Sequence, residues 1–281
     1  MASLRYPTAR GVSPLAVVPR LRRCWIRLRA TSTTSGGVRP VKSASRTVDL
    51  LEFLGRRIAD PPRLAEICTE LDAPRSSTYA LLRTLIDAEW VQATSTDRYM
   101  LGIRALTVGT AYIDADPYVR IVRPILVDLA KEHGETFHMG RFDNAEIVYL
   151  LTQQSDRSTR TYSRVGRRLP AAATGLGKAV LAHRPEDIPE ELVELTARTI
   201  TSPTQLRKNL KETAARGYAI DNEENTLGLH CVAFSLPYES PVRDAISCSV
   251  PSVRWSAERE AELAAAMRTA VNRILDSAPI A

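Results

Sequence analysis

No run of 18 consecutive apolar residues occurs in this 281-residue chain, and a helix needs about 20 to cross a bilayer, so no membrane partner is expected. Cysteine is scarce: Cys24, Cys68, Cys231 and Cys248 form no CxxC pair. That spacing excludes a disulfide framework and a zinc knuckle, and it fits a reducing cytoplasm. The four histidines are scattered, without the i, i+4 or Cys/His spacing that holds a metal. Nucleotide and hydrolase signatures are missing as well. There is no phosphate-binding loop and no Ser-His-Asp elbow, and the Gly175-Leu176-Gly177 triplet lacks the third glycine of a dinucleotide fingerprint. No metal, cofactor or catalytic group is called for.

Acidic residues are absent from the first 48 positions, which hold ten Lys or Arg. The remainder carries 28 basic against 32 acidic residues, so the formal charge of +6 is a property of the tail. Bulk attraction to polyanions cannot be assigned to the folded part.

What is present begins with two helical patterns and a turn. Leu64, Ile67 and Leu71 recur at helical spacing and stop at Asp72-Ala73-Pro74, where proline lacks an N–H and disfavours helical backbone in the residue before it. The next helix opens at Pro74-Arg75, with the Ser76 and Ser77 hydroxyls expected to cap its free N–H groups, and runs to about Ala88. Thr78, Leu81, Leu82 and Leu85 make its inward face. Arg75, Ser77, Tyr79, Ala80 and Arg83 then point outward, as in a recognition helix that enters a major groove N-terminus first. Trp90–Ala93 and Arg98–Leu101, joined by a turn over Thr94–Asp97, read as a two-stranded wing with Arg98 within reach of phosphate. Ser43–Arg56 supplies a third helix that packs through Val48, Leu51 and Leu54. Two readings stand: a winged helix-turn-helix that binds DNA, or a small globular subdomain. On the first, residues 41–102 hold eight basic and nine acidic groups, so contact depends on placed side chains: Arg75, Ser76, Ser77, Tyr79, Arg83 and Arg98.

Further along, Gly102–Ile113 reads as a linker helix ended by Asp116-Pro117. Tyr118–His133 is an amphipathic helix kinked at Pro124, and Thr136–Arg141 with Ile147–Thr152 form a hairpin about Asp143-Asn144. Thr159–Ser163 is a candidate strand. Ala173–Arg184 and Thr204–Gly217 are helices, Cys231–Leu236 and Asp244–Val250 strands, and Ala257–Leu275 a closing helix over a mixed sheet. Gly175 and Gly177 at a helix start serve either a polar ligand or close packing.

From about residue 42 to 275 this order resembles the IclR family of transcriptional regulators. The resemblance is carried by RLAEICTELDAPRSSTYALLRTL, the wing ending RYMLG, and then VGRRLPAAATGLGKAVLA, RGYAIDNEENTLGLHCVAFSLP and AISCSVPSVR. It implies an α+β chain in which an N-terminal winged helix-turn-helix (41–102) is joined by a linker helix (103–116) to a GAF-like mixed α/β effector-binding domain (117–281). The implied partners are a double-stranded DNA operator, a small organic or aromatic acid as effector, and further copies of the chain as a homodimer or dimer of dimers. Dimer contact is expected at the linker helix. Gly175, Leu176, Asp221, Leu229, Cys231, Ser247 and Ser249 occupy the family's pocket positions. Backbone N–H groups of Gly175 and Leu176 suit a carboxylate, Ser247 and Ser249 share one face of a strand, and Asp221 can accept from a ligand hydroxyl. Ala80 stands where the family often has Arg, Ala172 where it often has His, and Val250 where it often has Gly. Operator and ligand are therefore not carried over.

Residues 1–40 precede this pattern. They read as a disordered basic arm, a transit peptide, or sequence upstream of the true start at Val38 or Val41, which is the expectation. Two other functions compete with regulation. One is an enzyme using Cys231 with His230, although adjacent strand residues face opposite ways. The other is a ligand-binding protein indifferent to DNA.

Overall fold

The structure, a computed structural model, describes residues 41–157 and 165–279. The basic tail and the strand expected at Thr159–Ser163 lie outside the described residues. Three helices open the chain: α1 (Lys42–Arg56), α2 (Leu64–Glu70) and α3 (Arg75–Asp87). Their shared core is Leu50, Phe53, Leu54, Ile67, Leu82 and Leu85, with Val91 from the wing. The α1 face is rotated from the expected one. Leu50, Phe53 and Leu54 are buried while Val48 is 56% exposed. Apolar residues at 48, 50, 51, 53 and 54 permit two stripes, and packing against Ile67 and Leu82 selects one.

Helix α2 begins with Glu66 accepting the Arg63 N–H at 2.9 Å. Helix α3 does not use the expected serine caps. Pro74 is its N-cap residue, so Ser76 and Ser77 lie inside the first turn, and the Ser77 hydroxyl donates back to the Pro74 carbonyl at 2.9 Å. The wing strands β1 (Val91–Ala93) and β2 (Tyr99–Leu101) pair antiparallel. Gly102 closes the wing, donating to the Trp90 carbonyl at 2.7 Å; a Cβ there would lie 2.1 Å from the Glu89 carbonyl oxygen.

Helix α4 (Ile103–Ala115) follows and buries none of its residues. At Asp116 the chain turns into α5 (Pro117–His133), whose first turn is capped by the Asp116 carboxylate accepting from Tyr118 and Val119 N–H at 2.9 and 3.1 Å. Pro117 suits the first helical position, Pro124 is carried inside the helix, and Gly134 in the left-handed region ends it.

Six strands then form one sheet: β3 (Thr136–Asp143), β4 (Glu146–Gln153), β5 (Arg168–Pro170), β6 (Ala219–Asn222), β7 (Leu229–Leu236) and β8 (Asp244–Pro251), in the order β5-β4-β3-β8-β7-β6. Every pairing among the described residues is antiparallel, so the expected mixed sheet is corrected. The chain returns through hairpins and long excursions, without the crossover helices that parallel neighbours require. Helix α5 and the closing α8 (Ala257–Ser277) cover one face over Phe137, Met139, Val232, Phe234, Ile246, Cys248 and Val250. Helices α6 (Gly175–Leu181) and α7 (Pro203–Arg216) cover the other through Leu176, Val180, Leu181, Leu206 and Leu210. Each such buried side chain contributes about 1.5–3 kcal/mol relative to exposure.

The joint between the two parts is polar. Arg141, on the α5/α8 face of β3, donates to Asp244 at 2.7 and 2.6 Å, to Asp116 at 2.6 Å and to the Tyr112 hydroxyl of α4 at 2.9 Å. Tyr238, stacked on Tyr118, donates to the same Asp244. The carboxylates around it hold the Arg141 guanidinium firmly in its charged form.

Candidate functional site

Strand alternation places Ala245, Ser247 and Ser249 of β8 on the α6 side, opposite Ile246, Cys248 and Val250. Register extends this into two rows. Asp221, Cys231, Ser249 and Thr136 stand opposite one another across β6, β7, β8 and β3. Beside them run Ala233, Ser247, His138 and Thr152. Small and polar side chains in mid-sheet leave α6 nothing bulky to rest on, and a cavity results. It opens to solvent on one side, and its interior free volume is about 30 Å3, room for one or two water-sized groups between these side chains.

All seven residues taken from the family's pocket line this cavity: Gly175, Leu176, Asp221, Leu229, Cys231, Ser247 and Ser249. So do His138, Tyr149, Arg167, Leu169, Thr174, Asn225 and Thr226, which the sequence reading passed over. Ile147 and Tyr149 reach the α6 side by simple alternation, and the β3–β4 register shift between Met139 and Gly140 then turns Leu151 to the other face and brings Thr152 beside His138. The two glycines of α6 divide their roles. A Cβ on Gly177 would lie 2.1 Å from the Ala171 carbonyl oxygen, which is packing. Gly175 sits over Ala233, Cys231 and Asp221, at the cavity.

Burial sets the charges. His138 is held neutral, its pKa lowered to about 3 by desolvation and then by Arg167. Asp221 is raised to about 7 by desolvation, which the Lys178 charge opposes. Its Oδ1 accepts the Glu224 and Asn225 N–H groups at 2.8 and 3.4 Å, folding the acidic loop back on itself. Behind it Lys178, fully buried, contacts Glu224 at 2.5 Å. Burial pushes the Cys231 thiol well up, and its sulfur lies 3.3 Å from the Ser249 hydroxyl. His230 faces away from Cys231, stacked on Trp255. A thiol so placed is a wall of the cavity rather than an activated nucleophile.

On the DNA-binding side, Arg75, Ser76, Ser77, Tyr79 and Arg83 are all exposed on α3. Arg83 pairs with Asp87 at 3.5 Å. Arg98 is half-buried, with Nη1 engaged by Asp60 at 2.7 Å and by the Pro61 carbonyl at 2.5 Å. It therefore ties the wing to the segment before α2.

A winged helix-turn-helix joined by one helix to a sheet domain with a polar cavity defines a transcriptional regulator with its own sensor. Residues 43–95 match the IclR helix-turn-helix domain, and residues 110–275 match the bacterial transcriptional regulator IclR C-terminal domain. The chain belongs to the IclR family. It is 31% identical over 256 residues to the transcriptional repressor IclR of Escherichia coli, covering 87% of this chain and 92% of that one. An IclR transcriptional regulator of Alicyclobacillus acidocaldarius has the same fold at TM-score 0.75 and 21% identity, covering 85% of this chain and 99% of that one. An IclR homologue of Microbacterium hydrocarbonoxydans, solved with 4-hydroxybenzoate, matches at TM-score 0.69 and 19% identity over 83% of this chain and 98% of that one. No helix among the described residues is long and apolar enough to cross a membrane.

Proposed function

We propose that the protein is a cytoplasmic DNA-binding regulator without catalytic turnover, that it reads its operator as a homodimer or dimer of dimers, and that a small organic or aromatic acid in the sheet cavity adjusts that binding. The observation that carries the reading is the bonded joint between the two parts. Helix α4 leaves the wing at Gly102 and reaches the sensor's buried Arg141 through Tyr112, on the sheet face opposite the cavity. A ligand that shifts the sheet acts on the wing through this joint.

On this reading Arg75 and Tyr79 meet base edges, Ser76 and Ser77 the DNA backbone, and Arg83 and Arg98 the flanks; what supports it is that all of them but the half-buried Arg98 are exposed. The exposed Ile103, Leu106 and Val108 of α4 supply an apolar seam for a second copy. Gly175, Leu176, Asp221, Leu229, Cys231, Ser247 and Ser249 surround the effector. Selection of binding sequences from random double-stranded DNA with the full chain tests this. Enrichment of a two-fold symmetric site, with retention altered by 4-hydroxybenzoate or another small acid that the protein binds, supports it. Absence of any enriched sequence, with or without acids, overturns it.

A further inference from the structure

The segment before α2 carries a charge that the fold does not need. Backbone alone anchors the wing there: the Tyr99 N–H donates to the Pro62 carbonyl at 2.9 Å, and Arg63 and Arg98 are bridge partners. Arg57, set over the Phe53 ring, already has a carboxylate in Glu66 at 2.9 Å, and Glu66 also caps α2. Asp60 is a second acceptor, shared by two arginines. Its Oδ2 accepts from Arg57 at 2.8 Å and its Oδ1 from Arg98 at 2.7 Å, although its side chain is 68% exposed. Ion pairs that exposed add little stability. Arg98 is arranged for more than this contact. Only its Nη1 is engaged, by Asp60 and the Pro61 carbonyl, while Nε and Nη2 have no acceptor among the described residues. Tyr99 and Leu101 pack into the helical core, so alternation turns Arg98 to the other side of the wing.

Resting on the DNA-binding reading above, we propose that Asp60 gates the wing: it neutralises Arg98 in the free protein and cedes it to a backbone phosphate when the recognition helix seats in the groove. The exchange is balanced. When Arg98 turns to the phosphate, Arg57 keeps the released carboxylate paired, so no naked charge is left behind. A phosphate held in one position by α3 displaces the carboxylate, whereas one sliding past a loosely bound head meets an arginine already neutralised. Asp60 therefore subtracts more from the affinity for random DNA than from that for the operator. The effect is large for a head whose residues 41–102 hold eight basic and nine acidic groups, because one unmasked arginine is a substantial part of its attraction to phosphate.

The test is fluorescence anisotropy on the full chain with a random-sequence duplex and with a duplex selected by the protein, each over a series of potassium chloride concentrations. Asp60→Asn is expected to tighten the random duplex roughly threefold or more at low salt and to steepen its log–log salt slope by up to about 0.9, the value of one further phosphate contact. The selected duplex gains less, so the ratio of the two affinities falls. Asp60→Glu, which keeps the carboxylate, should stay near wild type. In an Arg98→Gln background, Asp60→Asn should change neither affinity nor slope. A gain that persists without Arg98 assigns the effect to bulk charge and overturns the gate. So does weaker binding by Asp60→Asn at an unchanged melting temperature, which makes Asp60 a strut of the wing. Unchanged affinity and slope overturn the gate as well, while the DNA-binding reading stands. Failure of the wild-type chain to bind either duplex at any salt concentration removes both.

Discussion

Replacing Arg141 with Met should be among the most damaging single changes in the sensor domain. The side chain is 7% exposed and makes four hydrogen bonds, two of them to an Asp244 carboxylate that has no exposure at all. Methionine fills similar space but leaves Asp244 and Asp116 as buried carboxylates without a cation. Removing one partner of such a group costs about 3–5 kcal/mol. For a domain of this size that corresponds to a fall in melting temperature of roughly 6–20 °C. Urea unfolding followed by circular dichroism gives the free energy directly, and the double variant Arg141→Met, Asp244→Leu separates causes. If the damage is uncompensated charge, the second substitution recovers part of the loss; if it is lost packing, the losses add. A loss below about 1 kcal/mol for Arg141→Met would refute the view that this cluster is a desolvated ion network.

The other predictions concern each part of the chain. Asp221 has its pKa raised to about 7 from 3.8, so the native state holds its proton more tightly than the unfolded state. The associated stability is complete below about pH 4 and is lost as pH rises through about 7, at most about 4 kcal/mol in all. Asp221→Asn should flatten that decline in urea midpoints, and parallel profiles for wild type and variant would count against it. Gly102→Ala should destabilise the wing by about 1–3 kcal/mol, because the new methyl meets the Glu89 carbonyl; unchanged unfolding would show that the turn yields. Arg75→Ala with Tyr79→Ala should weaken binding to a selected operator roughly tenfold or more without shifting the melting temperature, since both side chains are exposed; equal affinity by fluorescence anisotropy would move base reading elsewhere. Leu106→Glu on α4 should halve the solution mass seen by light scattering, and an unaltered mass would place the interface on another surface.

Local pattern and long-range register contributed unequally to what could be read in advance. The inward face of α3 was legible because Thr78, Leu82 and Leu85 follow from helical spacing alone. The cavity residues taken from the family motifs converge because those motifs flank the strands that build it. Arg141 looked like an ordinary polar strand residue. Its partners Asp116 and Asp244 lie 25 and 103 positions away, and nothing in local spacing joins them. Lys178 and Glu224 were hidden likewise, since a charged pair at full burial reads in sequence as two solvated residues. Thr152 needed a bulge to stand beside His138, and Arg167 and Asn225 sit on loops whose direction no periodicity encodes. In α1 the pattern itself was degenerate, and only the packed core separated Val48 from Leu50.

Asp116 divides its two oxygens: Oδ1 caps α5 and Oδ2 receives Arg141. The Asp116-Pro117 step looks like the natural seam at which to exchange one regulator's reading head for another's. A chimera cut there would import a foreign residue 116 and a foreign Tyr112, unmaking the cap and stranding the arginine in one stroke. Transplantable heads must instead be spliced inside α4 upstream of Tyr112, so that the last turn of the linker travels with the sensor.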